Sequence, residues 1–193
     1  MIFGVDEAGR GPLAGPVVAA AVLLSKPRPS GLDDSKKLNA ARRAELETII
    51  KRRCQWAVGV VEVEDIDRLN IFGATMLAMT LAVDALSAKL GSEPLEVLVD
   101  GNVTPAGRRP EWRWPARAIV GGDAIEPCIS AASIIAKEHR DRMMHAAAQH
   151  YPHYGWEKNK GYGTPDHMAA LQAHGPTPLH RKSFAPVAQL LLL

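Results

Sequence analysis

The sequence predicts a single α/β domain, and three observations lead to this prediction. Short apolar runs of the kind that form buried strands alternate with longer segments whose apolar residues recur at helical spacing. Three of these runs end in an acidic residue with a glycine close by, as strands that stop at a loop often do. The chain has 193 residues, which is enough to bury one core and leaves room for a small appendage.

Three strands and two helical segments are predicted in the first half of the chain. The first two strands are apolar runs, and the proline- and glycine-rich residues 26–31 break the pattern after them. Asn39 is suited to cap a helix, because its side chain can accept a hydrogen bond from the first turn. The predicted elements are strands at 2–5 and 17–24, a helix from Asn39 to about Arg53, a strand at 56–63, and one or two helices from about 66 to 90 that end at Gly91.

The second half predicts two more strands, each followed by an acid, and further helices. Thr164 and Pro165 form a typical helix start, with a capping hydroxyl and proline in the first turn. The predicted elements are strands at 95–100 and 116–120, helices at 128–149 and 165–174, and a leucine-rich tail at 180–193 that packs back as a short helix.

Composition excludes several classes of protein. A hydrophobic content of 47% and a charged content of 23% are ordinary for a soluble globular protein. The longest apolar run, residues 17–24, is much shorter than the ~20 residues that span a bilayer, and the start of the chain lacks a secretion signal. No membrane partner is therefore expected. Cys54 and Cys128 match no metal-binding spacing, which fits a reducing, cytoplasmic setting. The net charge of +2 says little about partners by itself, so a nucleic-acid partner would have to be bound by local basic patches.

The stretch from Asp6 to Pro16 is the most informative part of the sequence. Two adjacent carboxylates follow a buried strand, where they are costly to desolvate unless they are paired or bind a metal ion. The glycines after them allow the backbone to approach another group closely, and Arg10 adds a cation. This combination suits a metal ion and a polyanion, and ordinary solvated acids at a strand end are the alternative. The stretch matches neither the phosphate loop of nucleotide hydrolases nor the glycine motif of dinucleotide-binding domains.

Acids at the ends of three predicted strands are candidate metal ligands. Strand ends that lie side by side in a parallel or mixed sheet would bring them together, and clustered carboxylates repel without a cation. Oxygen ligands favour Mg²⁺ or Mn²⁺ over zinc, and two such ions are the apparatus of phosphodiester cleavage. Adjacent strand residues point to opposite faces, so Asp6 and Glu7 share a site only if the strand ends or bulges at Glu7. The acids are Asp6, Glu7, Asp100 and Asp123; the last two lie beside glycines, so each alone is also a common turn signal.

Six short motifs follow one another along nearly the whole chain, and the first is highly specific. They are Asp6–Gly15 (DEAGRGPLAG), Asp34–Leu38 (DSKKL), Leu98–Asn102 (LVDGN), Asp123 through ISAASIIAK at 129–137, Lys160–Thr164 (KGYGT) and His180–Phe184 (HRKSF). In this order they resemble the motifs of the ribonuclease HII family, within the ribonuclease H superfamily.

The resemblance implies a ribonuclease H-like fold, a mixed central β-sheet flanked by helices, with a small C-terminal helical extension. Residues 1–150 would form the catalytic domain, and residues 151–193 a substrate-contacting loop and helices packed on it. The implied activity is endonucleolytic cleavage of RNA in RNA/DNA hybrids and at single ribonucleotides embedded in duplex DNA. Cleavage on the 5′ side of the ribonucleotide, with two Mg²⁺ or Mn²⁺ ions, leaves 3′-hydroxyl and 5′-phosphate ends. The expected enzyme is a cytoplasmic monomer.

The resemblance also assigns roles to individual residues. The family's four catalytic, metal-binding acids match Asp6, Glu7, Asp100 and Asp123. The loop that senses the ribose 2′-hydroxyl, the group that separates RNA from DNA, matches Gly9, Arg10 and Gly11. Tyr162 matches the tyrosine that stacks beneath the following deoxyribose, and a plain core anchor is the alternative.

Basic side chains are expected to hold the phosphates, although any of them can also be merely solvated. Ser130 and Ser133 open the helix after Asp123, and a structural role is preferred over a phosphate contact. His180 receives no definite role. The phosphate-binding candidates are Lys36, Lys37, Lys160, Arg181 and Lys182.

Two departures from the family pattern and two alternative functions complete the prediction. No lysine precedes Gly122 before the fourth acid, and Asn159 replaces a common histidine before Lys160. One alternative resembles ribonuclease HIII, which normally carries an extra N-terminal domain for which a chain beginning one strand before Asp6 has no room. The other is a catalytically silent hybrid-binding protein, against which the intact acids argue.

Overall fold

The computed structural model describes residues 1–33 and 35–192. Asp34, in the DSKKL motif, and Leu193, at the end of the predicted tail, lie outside the described residues. The strands are β1 Ile2–Ala8, β2 Val17–Leu23, β3 Gln55–Val61, β4 Glu96–Asp100 and β5 Ala116–Ile119. The helices are α1 Ala40–Arg53, α2 Val63–Leu90, α3 Gly122–Ile125, α4 Pro127–His150, α5 Trp156–Asn159, α6 Pro165–His174 and α7 Ala185–Leu190, with a 3-10 turn at Pro152–Tyr154.

The strands form one mixed sheet in the order β3-β2-β1-β4-β5. Strand β1 is antiparallel to β2 and parallel to β4, and β5 continues the parallel side. The predicted mixed sheet flanked by helices is therefore confirmed. The first strand is longer than the predicted residues 2–5, because its pairing with β2 extends to Ala8 opposite Val18.

Each face of the sheet is covered by one long helix that approaches the backbone closely. On one face, a Cβ added to Gly59 would lie 2.2 Å from the carbonyl oxygen of Ala78 in α2. On the other face, a Cβ on Gly4 would lie 2.2 Å from the carbonyl carbon of Cys128 in α4. Glycine at these two positions lets α2 pack directly on the edge strand β3 and α4 on the central strand β1. The start of α4 therefore packs against Gly4, which precedes Asp6 by two residues in β1.

Helix α2 is the main apolar layer of the core. It is interrupted at Asn70 (φ 58°), in agreement with a prediction of one or two helices, and it ends at Gly91 in the left-handed conformation. By length and composition it could span a membrane, but 56% of its most apolar window is buried. The helix packs its apolar side chains, including Ile66, Met79 and Leu86, against the sheet, as the core helix of a globular protein does.

The C-terminal part of the chain packs on the loop between β1 and β2. Its apolar cluster joins Trp156, Leu171 and Val187 to Leu13 of that loop and to Met144 of α4. The predicted cap of α6 is confirmed, since Thr164 Oγ1 accepts a hydrogen bond from the amide of His167 at 3.3 Å. The predicted short helix of the tail is present as α7. The division of the chain at residue 150 stays a prediction.

Candidate active site

The register between β1 and β4 brings two acids to the same face of the sheet. Gly4 lies beside Leu98 in the parallel pairing. Side chains two residues apart on a strand share a face, so Asp6 and Asp100 both point to the side covered by α4. Asp100 is the last residue of β4, which places both carboxylates at one end of the sheet. The predicted meeting of strand-end acids follows directly from this pairing.

Asp123 joins these two acids from the start of α3. Its backbone amide donates to Asp100 Oδ1 at 3.2 Å. Its carbonyl oxygen accepts a hydrogen bond from the hydroxyl of Ser130 at 2.7 Å, which ties this short turn to α4. One carboxylate oxygen from each of Asp6, Asp100 and Asp123 lies within 4.8 Å of the other two. These three side chains form the acidic cluster.

Glu7 lies beside the acidic cluster without belonging to it. The strand neither ends nor bulges at Glu7, so its side chain points to the opposite face from Asp6. Because the pairing with β4 stops at Val5, the last residues of β1 are uncovered on that side, and Glu7 still lines the same cleft as Asp6. Its carboxylate accepts from Arg10 at 3.3 Å. The sequence predicts four acids in one site, and the structure places three together and the fourth at its edge.

Burial and mutual repulsion dominate the electrostatics of the acidic cluster. Burial raises the pKa of Asp6 well above its usual value, and the charges of Glu7 and Asp100 raise it further. Burial also raises the pKa of Glu7, while Arg10 opposes the shift. The hydroxyl of Ser133 is 2.7 Å from that of Ser35 and binds Asp6. Closely spaced, oxygen-only donors with this repulsion fit a hard divalent cation.

The acidic cluster opens into a cleft with a volume of about 270 Å³. The first three residues of the glycine loop, which is defined here as Gly9–Pro16, line the cleft together with Tyr162, and Lys36 lies near the acids. The amine of Lys36 is 3.4 Å from Asp123. A Cβ placed on Gly11 would touch the ring of Tyr162 at 3.5 Å, so the ring and the loop are neighbours. The aromatic ring is half exposed and available to a ligand.

Comparisons with known proteins identify the family of this chain. The family model described as ribonuclease HII matches residues 3–187. The chain belongs to the ribonuclease HII family. A ribonuclease HII from Novosphingobium aromaticivorans is 80% identical, over 99% of this chain and 98% of that one.

Solved structures agree with this assignment. The ribonuclease H2 from Pyrococcus horikoshii OT3 has a TM-score of 0.79 at 25% identity, over 98% of this chain and 96% of that one. Bst-RNase HIII in complex with Mn²⁺ has a TM-score of 0.72 at 20% identity, over 99% and 69% of the two chains, which shows the shared fold. As a member of the ribonuclease HII family, the protein is a hydrolase and an endonuclease of the ribonuclease H type.

Arg181 was a candidate phosphate ligand because it belongs to the HRKSF motif, but it lies in the interior of the protein. Its side chain is fully buried, so the predicted phosphate contact is wrong for this structure. The guanidinium donates to carbonyl oxygens of the glycine loop, those of Gly9 at 2.6 Å, Arg10 at 3.0 Å and Gly15 at 2.8 Å. Arg181 therefore holds the loop from behind.

A second buried arginine, Arg140 of α4, was not singled out by sequence reasoning. It donates to carbonyl oxygens of Pro16 at 2.8 Å, Ala14 at 3.0 Å and Lys160 at 2.9 Å. Burial lowers the pKa of Arg140 to about 10, and burial together with the charge of Arg140 lowers that of Arg181 to about 9. Both groups stay charged at neutral pH. An arginine within a helical pattern gives no signal of such a role, because only the packing of α4 against the loop reveals it.

The predicted lysines differ in their positions. Lys36 lines the cleft, whereas Lys37 pairs with Asp33 at 3.7 Å and lies outside the cleft lining that the structure describes. The amine of Lys160 donates to the carbonyl of Glu157. Lys137, the last residue of the ISAASIIAK motif, also lines the cleft, and sequence reasoning gave it no role.

The two serines and the histidine that the sequence left undecided have clear partners. Ser130 has the preferred structural role, because its hydroxyl binds the backbone before α4. Ser133 instead lies in the floor of the cleft, against Asp6 and Ser35. His180 is buried beside His167 in the C-terminal part.

Proposed function

We propose that this protein cleaves RNA/DNA hybrids and duplex DNA that contains single embedded ribonucleotides, on the 5′ side of the ribonucleotide, and leaves 3′-hydroxyl and 5′-phosphate ends. The observation that carries the proposal is the acidic cluster of Asp6, Asp100 and Asp123 at the end of a cleft lined by the glycine loop and Tyr162. Enzymes of the ribonuclease H type act on RNA/DNA hybrids, and the family is shown for this chain.

Asp6, Glu7, Asp100 and Asp123 are the proposed catalytic, metal-binding acids. Their donor chemistry suits Mg²⁺ or Mn²⁺. Two such ions, when bound, supply an activated water and stabilise the leaving oxygen of the phosphodiester. Glu7 stands at the edge of the cluster, where its carboxylate is near enough to Asp100 to feel its charge. Glu7 would therefore contribute to a second ion, and the three aspartates would hold the first.

The glycine loop and Tyr162 are the proposed reader of the RNA–DNA junction. The buried arginines Arg140 and Arg181 bind carbonyl oxygens of the loop, which supports a fixed loop backbone at the cleft. Such a backbone, at Gly9, Arg10 and Gly11, can approach the 2′-hydroxyl closely, because no side chain stands in the way at the glycines. The half-exposed ring of Tyr162 beside Gly11 offers a flat surface for the next sugar.

The remaining parts of the proposal concern phosphate binding and setting. Lys36, at the cleft, and Lys37 and Lys160, outside it, are proposed to contact phosphates, which position a duplex without reading its sequence. The enzyme is proposed to act as a monomer in the cytoplasm.

A nicking assay tests the proposed function. The purified protein is incubated with a DNA duplex that carries one ribonucleotide, with Mg²⁺ or Mn²⁺, and with an all-DNA duplex as the control. We expect a single nick 5′ of the ribonucleotide, a 5′-phosphate on the downstream product, and no nick in the control. Binding of the ribonucleotide duplex without nicking in either metal would favour the silent hybrid-binding protein. A 2′,3′-cyclic phosphate product would contradict metal-dependent hydrolysis by water.

A further inference from the structure

A cluster of buried rings lies beneath Tyr162, outside the acidic site. His167 and His180 are fully buried, and their Nε2 atoms are 3.1 Å apart. The indole of Trp156 donates to His167 Nε2 at 3.1 Å, and the ring of Tyr154 packs edge-on against His180. Burial lowers the pKa of both imidazoles, that of His180 to about 4 with a contribution from His167. Both rings are therefore neutral at pH 7.

The hydrogen bonds of the histidine pair fix which nitrogen of each ring carries the proton. His167 Nδ1 lies 2.8 Å from the carbonyl oxygen of Tyr162, so it must be a donor, and its Nε2 must be an acceptor. His180 Nδ1 accepts from the amide of Thr177 at 2.9 Å, so its Nε2 carries the proton. His180 Nε2 therefore donates to His167 Nε2. The chain of bonds runs in one direction, from Thr177 to the carbonyl of Tyr162.

The next residue in the chain connects the same pair to the glycine loop. Arg181 binds the carbonyls of Gly9 and Gly15, while the backbone at His180 forms an isolated β-bridge with Ala14. His180 and Arg181 are neighbours in the chain. His180 is linked through His167 to the backbone of Tyr162, and Arg181 holds the glycine loop. Both sets of contacts consist of buried or partly buried hydrogen bonds, which define geometry well because a displaced partner is left unpaired.

We propose that His167 and His180 are positioning residues that hold the backbone of Tyr162, and with it the phenol ring, in fixed register with the glycine loop. This inference rests on the proposed function of Tyr162 as a sensor of the sugar after the ribonucleotide. Neither histidine is among the described residues that line the cleft, and the side-chain hydrogen bonds of the pair reach that lining through Tyr162.

Two substitutions of His167 test its two ring nitrogens, Nδ1 and Nε2, separately. His167→Asn keeps a donor in the place of Nδ1, and with it the bond to Tyr162, but leaves nothing in the place of Nε2. His167→Gln keeps an acceptor near Nε2 and loses the donor to Tyr162. The measured quantity is kcat/KM for a duplex with one embedded ribonucleotide divided by kcat/KM for a uniform RNA/DNA hybrid, which offers no deoxyribose at the following position. We expect the ratio to fall about tenfold in His167→Gln and to change less than about twofold in His167→Asn.

Three controls keep the outcome decisive. His174→Gln, an exposed histidine at the end of the same helix, should leave the ratio unchanged. Tyr162→Ala should lower the ratio, and if it does not, the proposed role of Tyr162 fails and the inference with it. If Tyr162→Ala lowers the ratio and His167→Gln reduces both activities equally, only the positioning role is overturned. Should His167→Gln fail to fold, His167→Met, which also lacks the donor to the carbonyl of Tyr162, is expected to lower the same ratio, and an unchanged ratio would overturn the positioning role.

Discussion

Two groups of buried charged side chains lie near the glycine loop, and they differ in how their charges are compensated. In the acidic cluster, Asp6 is buried beside other carboxylates, which raise its pKa instead of lowering it. In the second group, Arg140 and Arg181 each bind several backbone carbonyl oxygens at hydrogen-bonding distance. The carboxylates of the acidic cluster therefore repel one another, whereas the two guanidinium groups are hydrogen-bonded to backbone oxygens.

This difference teaches which group is built for a ligand and which is built for support. A buried polar group that the protein itself satisfies stabilises one geometry, as hydrogen-bonded networks do in general. A cluster of like charges that the protein leaves under strain is a candidate functional site, because a ligand of opposite charge relieves the strain. Substitutions in the two groups should therefore have opposite consequences, with activity lost in one and stability lost in the other.

The largest effect is expected for Asp100→Asn. Removing one charge of the acidic cluster should reduce cleavage by about 1,000-fold, because one of the proposed metal-binding carboxylates is lost. The free energy of unfolding should stay the same or rise, since repulsion with Asp6 is relieved. Single-turnover nicking and urea denaturation measure the two quantities. Asp84→Asn, which removes an exposed acid paired with Arg113, is the matched control and should leave cleavage unchanged. A variant that nicks at the wild-type rate would contradict the metal assignment.

The opposite pattern is expected for Arg181→Met. The substitution removes the donors to four loop carbonyls in the interior, so the free energy of unfolding should fall by about 3 kcal/mol. Lys182→Met changes the exposed neighbour and should cost less than about 0.5 kcal/mol. Urea denaturation without divalent metal gives both values. Equal stability of the two variants would mean that the buried guanidinium does not hold the loop.

The same comparison explains what the sequence could and could not reveal. Strand-end acids are visible because apolar runs and glycines mark the ends of strands, and Asp6, Asp100 and Asp123 do meet as predicted. The position of Glu7 was harder to predict from the sequence, because it depends on where the pairing of β1 with β4 stops. Arg140 and Arg181 could not be interpreted from spacing, because their carbonyl partners in the glycine loop lie more than 100 residues away in the chain. A basic residue in a motif suggests an anion, and only its burial distinguishes support from binding.

The histidine pair offers a smaller effect of definite sign. The pKa of His180 is lowered from 6.5 to about 4 in the folded protein, so the unfolded chain binds more protons between these two values. The stability that the neutral ring contributes is complete above pH 6.5 and is lost as the pH falls toward 4, by about 2 kcal/mol between pH 7 and pH 5.

This loss is measured as the difference in the free energy of unfolding between wild type and His180→Gln, in which the titration of the acidic cluster cancels. The wild type should be the more stable protein at pH 7, and the difference should shrink as the pH is lowered to 5. A difference that is independent of pH would mean that the ring does not become protonated on unfolding. The geometry of the histidine pair would then depend on packing rather than on the directional hydrogen bonds of the neutral rings of His167 and His180.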